Sequence, residues 1–153
     1  MAEAPRPGEA APEFELSDDR DEVVRLADFR GRKVVLYFYP KDDTSGCTKQ
    51  ACELRDRIDE VETRGAVVLG VSPDDIASHQ RFRDKYDLPF RLLADTDHRV
   101  AETYGVWKEK SLYGRKYWGT ERTTFVIDED GRIAQVLPKV KPAGHADRVL
   151  ELL

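Results

Sequence analysis

Lys33-Val34-Val35-Leu36-Tyr37-Phe38-Tyr39-Pro40 is a β-branched and aromatic run with almost no polar face, the pattern of a strand covered on both sides. Pro40 ends it, because proline has no ladder donor. Beyond it, Ala51, Leu54, Ile58 and Val61 recur at helical spacing with charges between them, which predicts one helix that Gly65 stops. Ala66-Val67-Val68-Leu69-Gly70-Val71 reads as a second buried strand, and Ser72-Pro73-Asp74-Asp75 caps a helix running to about Tyr86. Strands that alternate with helices in this way belong to a layered α/β fold.

Working outward, residues 1–12 hold three of the eight prolines and little periodicity, so an extended lead-in is expected. Phe14 and Leu16, then Val23 to Leu26 after a polar stretch, read as an N-terminal β-hairpin, followed by one helical turn over Leu26–Phe29. Downstream, Phe90-Arg91-Leu92-Leu93 is a short strand and Asp97 to Tyr104 a short helix. Residues 105–121 show no clear period and are read as a long loop or irregular hairpin. Thr123–Ile127 and Ile133–Leu137 form a hairpin around Asp128-Glu129-Asp130-Gly131, and a last helix runs from about Gly144 to Leu152. The expected architecture is one domain over residues 1–153, a central mixed sheet flanked by helices.

Composition narrows the function. In 153 residues, 40% are apolar and 36% charged, and 25 Lys+Arg against 30 Asp+Glu give a net charge of −5 with no basic block. No nucleic-acid partner is expected. No apolar run approaches the ~18–20 residues of a membrane span, and the start lacks an export signal, so a cytoplasmic protein is expected. Thiols are kept reduced there, so two close cysteines are read as catalytic or metal-binding rather than as a staple. His79, His98 and His145 lack metal-ligand spacing and are read as solvent-facing or hydrogen-bonded, so neither metal nor cofactor is expected. Phosphate-loop, zinc-protease and serine-esterase signatures are missing from the sequence. Trp107, Tyr113, Tyr117 and Trp118 are read as ordinary packing under the loop.

The chemistry concentrates in Pro40-Lys41-Asp42-Asp43-Thr44-Ser45-Gly46-Cys47-Thr48-Lys49-Gln50-Ala51-Cys52. Cys47 falls in the first turn of the predicted helix, where unpaired N–H groups and the positive end of the helix dipole favour a thiolate. It is therefore expected to be nucleophilic. Gly46 permits close approach to the backbone, and the Thr44 hydroxyl can bond the sulfur or an incoming oxygen. On an ideal helix, positions i and i+5 have Cα atoms ~8.6 Å apart. A disulfide needs ~4.4–6.8 Å, so joining Cys47 to Cys52 requires the first turns to unwind.

Pro40-x3-Thr44-x2-Cys47 resembles the peroxidatic motif of the peroxiredoxins, and Cys47-x4-Cys52 resembles their bacterioferritin comigratory protein, or peroxiredoxin Q, branch. Gly8–Phe14 is similar to that family's opening and Lys141–His145 to its close, so the likeness runs over nearly the whole chain. Many members carry Pro where Ser45 stands. The resemblance implies a thioredoxin-like fold and a peroxidase in which Cys47 becomes a sulfenic acid. Cys52 then closes an intramolecular disulfide, and thioredoxin or a similar dithiol reduces it. It also implies that Arg122 stabilises the reacting sulfur and oxygens, and that Pro40 and Gly46 shape the peroxide pocket. A resolving thiol on the same chain fits a monomer. Two other readings are a thioredoxin-like disulfide reductase, which calls for Cys-x2-Cys spacing, and a non-catalytic binding domain with unreactive thiols.

Overall fold

A computed structural model describes residues 3–153, so the first two residues of the lead-in lie outside it. The strand read from the apolar run is β3 (Lys33–Phe38), near the middle of a seven-stranded sheet. It pairs in parallel with β4 (Ala66–Ser72), Val35 opposite Val68, and β4 pairs in parallel with β5 (Arg91–Ala94). On its other side it pairs antiparallel with β8 (Thr123–Ile127), Tyr37 opposite Thr124, and β8 with β9 (Ile133–Leu137). The N-terminal hairpin, β1 (Glu15–Asp18) and β2 (Val23–Arg25), completes the mixed sheet by pairing β1 with β5. A 3-10 turn over Leu26–Phe29 follows it, as expected.

Side chains along β3 alternate between two cores. Val34, Leu36 and Phe38 pack with Phe14, Tyr104 and Phe125 on one face. Val35, Tyr37 and Tyr39 pack with Cys47, Ala51, Leu54, Phe82 and Val149 on the other. All six are 1% exposed or less, which is why the run has no polar face. At about 1.5–3 kcal/mol for each large apolar side chain removed from water, this strand is the main anchor of both layers.

The helix after Pro40 is two helices. α1 (Ser45–Asp56) ends at Arg57, whose φ of −116° and ψ of 11° leave the helical region, and α2 (Ile58–Thr63) restarts beyond it. The break lets Val61 enter the core fully while the Arg57 guanidinium holds Glu60 and Asp147. α3 (Ile76–Tyr86) begins as expected, with Asp75 at its N-cap accepting from the Ser78 N–H at 2.8 Å. α4 (Arg99–Thr103) and α5 (His145–Leu152) complete the chain.

Residues 105–121 follow the hairpin alternative rather than the loop, though the hairpin is regular where an irregular one was expected. They form a regular two-stranded hairpin, β6 (Trp107–Leu112) with β7 (Arg115–Thr120), outside the main sheet. Its tip is Tyr113-Gly114, both at positive φ (52° and 78°), the backbone of a tight hairpin turn usually supplied by Asn-Gly. The aromatic residues there are not packed under a loop: Tyr113 is 96% exposed, and Tyr117 and Trp118 are also exposed. Trp107 is half-buried and stacks on His98 at 4.0 Å.

Candidate active site

α1 starts where β3 has just delivered the chain to the edge of the sheet. Thr44 has extended backbone (φ −91°, ψ 157°) and stands at the N-cap, and Cys47 lies in the first turn. The Thr48 N–H returns to the Thr44 carbonyl at 2.8 Å, whereas those of Ser45, Gly46 and Cys47 have no acceptor among the described residues. The sulfur of Cys47 therefore sits among uncompensated donors at the positive end of α1. The residue is 2% exposed.

Arg122, at the turn between β7 and β8, reaches this sulfur: its Nη2 lies 3.3 Å from Cys47 Sγ. Two features permit the approach. A Cβ on Gly46 would stand 3.3 Å from that same Nη2 and 3.2 Å from Pro142 Cγ, so a side chain there would crowd the guanidinium. The second is a buried chain of hydrogen bonds behind the arginine. Nη1 donates to Gln50 Oε1 at 2.6 Å, which orients the amide so that its Nε2 donates to His145 Nδ1 at 3.2 Å. His145 Nε2 then carries the proton and donates to Thr124 Oγ1 at 2.8 Å. Burial first, and then the Arg122 charge, push His145 down to about 4, so the imidazole is neutral and this tautomer persists at neutral pH. Gly144, at φ +82°, makes the left-handed turn that sets His145 at the start of α5.

Of the residues singled out in the sequence, Cys47, Gly46 and Arg122 converge. Cys52 lies on the same continuous α1 and is half-buried, and both thiols are free. The Thr44 hydroxyl does not bond the sulfur; it donates to the Lys41 carbonyl at 2.8 Å, leaving its lone pairs open. Pro40 is half-buried at the end of β3. Gln50, Thr124, His145 and Pro142 were not read as site residues. Gln50 could have been found from its position one turn after Cys47, since a polar residue facing the core from α1 demands a partner. His145 and His79 are buried and hydrogen-bonded, not solvent-facing.

Other charges frame the site. Lys110 on β6 is held below the ordinary lysine value by burial and by Arg122. Tyr37, buried beneath Cys47, is held well above the ordinary phenol value by burial and by the neighbouring Cys47, so it stays neutral. Asp42, Asp74 and His79 offer ligand atoms within 4.8 Å of one another. Each of those side chains is already engaged in short hydrogen bonds, and we assign no metal there.

Such a site, a thiol at a helix start with a permanent cation at hydrogen-bond distance, can deliver a sulfur nucleophile and stabilise charge on a departing oxygen. Comparisons with known proteins agree with it. Residues 7–136 match the AhpC/TSA family. The chain is 49% identical over 146 residues to Peroxiredoxin Bcp of Escherichia coli strain K12, covering 95% of this chain and 94% of that one. It is 46% identical over 146 residues to Peroxiredoxin Bcp of Bacillus subtilis strain 168, covering 95% and 93%. Among solved structures, a cysteine-to-serine mutant of Xylella fastidiosa PrxQ superposes with a TM-score of 0.92 at 34% identity over 96% of this chain and 94% of its own. The Xanthomonas campestris bacterioferritin comigratory protein, described for its alkyl peroxide reduction, gives 0.86 at 38% identity over 90% and 88%. The fold is thus thioredoxin-like, and the chain belongs to the AhpC/TSA family as a peroxiredoxin of the Bcp and PrxQ kind, a thiol peroxidase that spends a peroxide and a thiol reductant.

Proposed function

We propose that Cys47 is the peroxidatic nucleophile, Arg122 its catalytic cation and Cys52 the resolving thiol, in one domain spanning residues 1–153. The observation that carries this reading is the 3.3 Å contact between Arg122 Nη2 and Cys47 Sγ. The Cys47 thiolate attacks the outer peroxide oxygen, the O–O bond breaks, and the inner oxygen leaves with a proton as water or an alcohol. Arg122 and the free N–H groups of the first turn bear the charge that develops on the oxygens. Gly46 keeps the approach open, Thr44 offers a hydroxyl oxygen at its rim, and Pro40 shapes the loop. Cys52 then attacks the sulfenic sulfur, the S–S bond forms and the S–O bond breaks, releasing water. Thioredoxin or a similar dithiol restores both thiols.

Hydrogen peroxide and organic hydroperoxides are the proposed substrates, the latter supported by the alkyl peroxide reduction described for the Xanthomonas campestris relative. A monomer acting in the cytoplasm is the proposed setting, without membrane or nucleic-acid partners. Among the described residues no helix is long and apolar enough to cross a membrane. The test is to mix reduced protein with hydrogen peroxide and count thiols. Wild type is expected to lose both, Cys52→Ser to give a trappable sulfenic acid, and Cys47→Ser to leave Cys52 untouched. Oxidation of Cys52 in Cys47→Ser at the wild-type rate would reassign the nucleophile.

A further inference from the structure

The loop that carries Cys47 is fastened to α3 by two consecutive aspartates. Asp42 is 7% exposed, and all of its polar atoms on this side are engaged. Oδ1 accepts from the Tyr39 hydroxyl at 2.5 Å, and Oδ2 accepts from Ser78 Oγ at 2.8 Å and from His79 Nδ1 at 2.6 Å. Its N–H donates to Asp74 Oδ2 at 2.8 Å, an oxygen that also takes the Ser72 hydroxyl. His79 Nε2 lies 3.0 Å from the Leu93 carbonyl on β5 while Nδ1 faces Asp42, so the protonated ring donates on both sides. Asp43 holds Lys85 and Tyr86, both at 2.8 Å, but in solvent, where such pairs contribute little. The buried aspartate is therefore the stronger fastening.

We propose that Asp42 is the positioning residue that pins the Pro40–Gly46 loop and the first turn of α1 in the form presenting Cys47 to peroxide, and that releasing this pin from His79, Ser78 and Tyr39 must precede the Cys47–Cys52 disulfide. The inference rests on the peroxidatic reading above. On the intact α1 the two cysteines stand about 8.6 Å apart between Cα atoms by helix geometry, beyond disulfide reach. Fraying the helix from its N-terminus means moving the loop, and nothing else in that loop is as deeply buried and as fully bonded as Asp42. While the pin holds, a sulfenic acid on Cys47 waits for a resolving thiol that cannot reach it. A second peroxide can then add another oxygen and give the dead-end sulfinic acid.

The pin also responds to pH. Burial disfavours the charge on His79, but Asp42 and the Leu93 carbonyl, aided by Asp74, outweigh it and hold its pKa above the ordinary value. Asp42 from the loop, Asp74 from the β4–α3 link and Tyr39 from β3 are the titratable groups that face the ring. The pin is thus strongest below the ordinary histidine range and weakens as pH rises through the raised value, when the ring loses its charge but keeps one N–H.

The test separates the two chemical steps. Reduced wild type, Asp42→Asn, His79→Gln and Ser78→Ala are mixed with excess hydrogen peroxide, quenched at a series of times, and resolved by mass into thiol, sulfenic acid, disulfide and sulfinic acid. Asp42→Asn and His79→Gln are expected to slow sulfenic-acid formation yet to speed its conversion to disulfide roughly tenfold, the scale of one charge-assisted hydrogen bond, with less sulfinic acid. Ser78→Ala, which removes one neutral donor, is expected to move both steps in the same directions by about threefold. Amide exchange should quicken over residues 41–49 and stay slow in β3 and β4. Slowing of both steps together, an unchanged disulfide step, or exchange that quickens through the sheet overturns the pin and leaves Asp42 an ordinary core anchor. Wild type that keeps both thiols in peroxide overturns the peroxidatic reading itself, a result distinct from any of these.

Discussion

Replacing Gln50 with leucine tests the arginine support directly. Gln50 is fully buried and serves as the only protein acceptor holding Arg122 Nη1 among the described residues, at 2.6 Å, while donating to His145 at 3.2 Å. Leucine fills similar space but leaves Arg122 Nη1 and one imidazole nitrogen without their partners. Losing one charge-assisted and one neutral hydrogen bond inside the protein costs about 2–4 kcal/mol of stability. Removing a donor aimed at a reacting centre typically slows a reaction by ~10²–10³, and leucine only loosens one, so the peroxide step should slow by about 10–10². Gln50→Glu is the control. Its carboxylate still accepts from Arg122, and His145 meets it by moving its proton to Nδ1 and accepting from Thr124 at Nε2, a neutral exchange of tautomers. The rate in that variant should stay within about threefold of wild type. Single-turnover loss of the Cys47 thiol under excess peroxide gives the rate, and urea unfolding gives the stability. A leucine variant as fast as wild type, or a glutamate variant as slow as leucine, would refute the claim that an acceptor at position 50 positions Arg122.

Three further outcomes are expected. Ser45→Pro should stabilise the protein by about 0.4–1 kcal/mol and slow disulfide closure, because Ser45 is the first helical residue, its N–H has no acceptor among the described residues, and Thr44 already has the extended backbone that precedes proline; a lower melting temperature would contradict it. His145 is held at about 4 by burial and Arg122, so between pH 6.5 and 4 the unfolded chain gains a proton that the native state refuses, and up to about 3 kcal/mol of stability disappears over that window. Urea titrations at pH 7, 5.5 and 4.5 should show His145→Gln losing correspondingly less, and equal slopes would count against the assignment. Tyr37→Phe should be neutral or stabilising by about 1–2 kcal/mol, since the buried hydroxyl has no partner among the described residues; a clear loss in thermal stability would reveal one.

Much of this molecule was legible because its signals are local. The apolar run of β3, the cap before α3, the Asp-Gly turn between β8 and β9, and the N-terminal hairpin each combine periodicity with turn chemistry over a few residues, and each formed where it was expected. What stayed open or went astray has physical reasons. The hairpin over residues 107–120 lacks Asn-Gly and places Tyr113 in the left-handed position instead, so its turn carries no familiar signature. The break at Arg57 is matched to partners that include Asp147, 90 residues away.

The sequence by itself determined that Cys47 opens a helix at the end of a buried strand and that Cys52 follows five positions later, because backbone periodicity and helix-end electrostatics need no distant partner. Only the tertiary structure decided what surrounds the sulfur. The antiparallel pairing of β8 with β3 brings Arg122 to a cysteine 75 residues earlier in the chain, and docking of α5 seats His145 behind Gln50. Burial then makes each of those polar groups depend on the next, a dependence that arises only when the chain closes on itself.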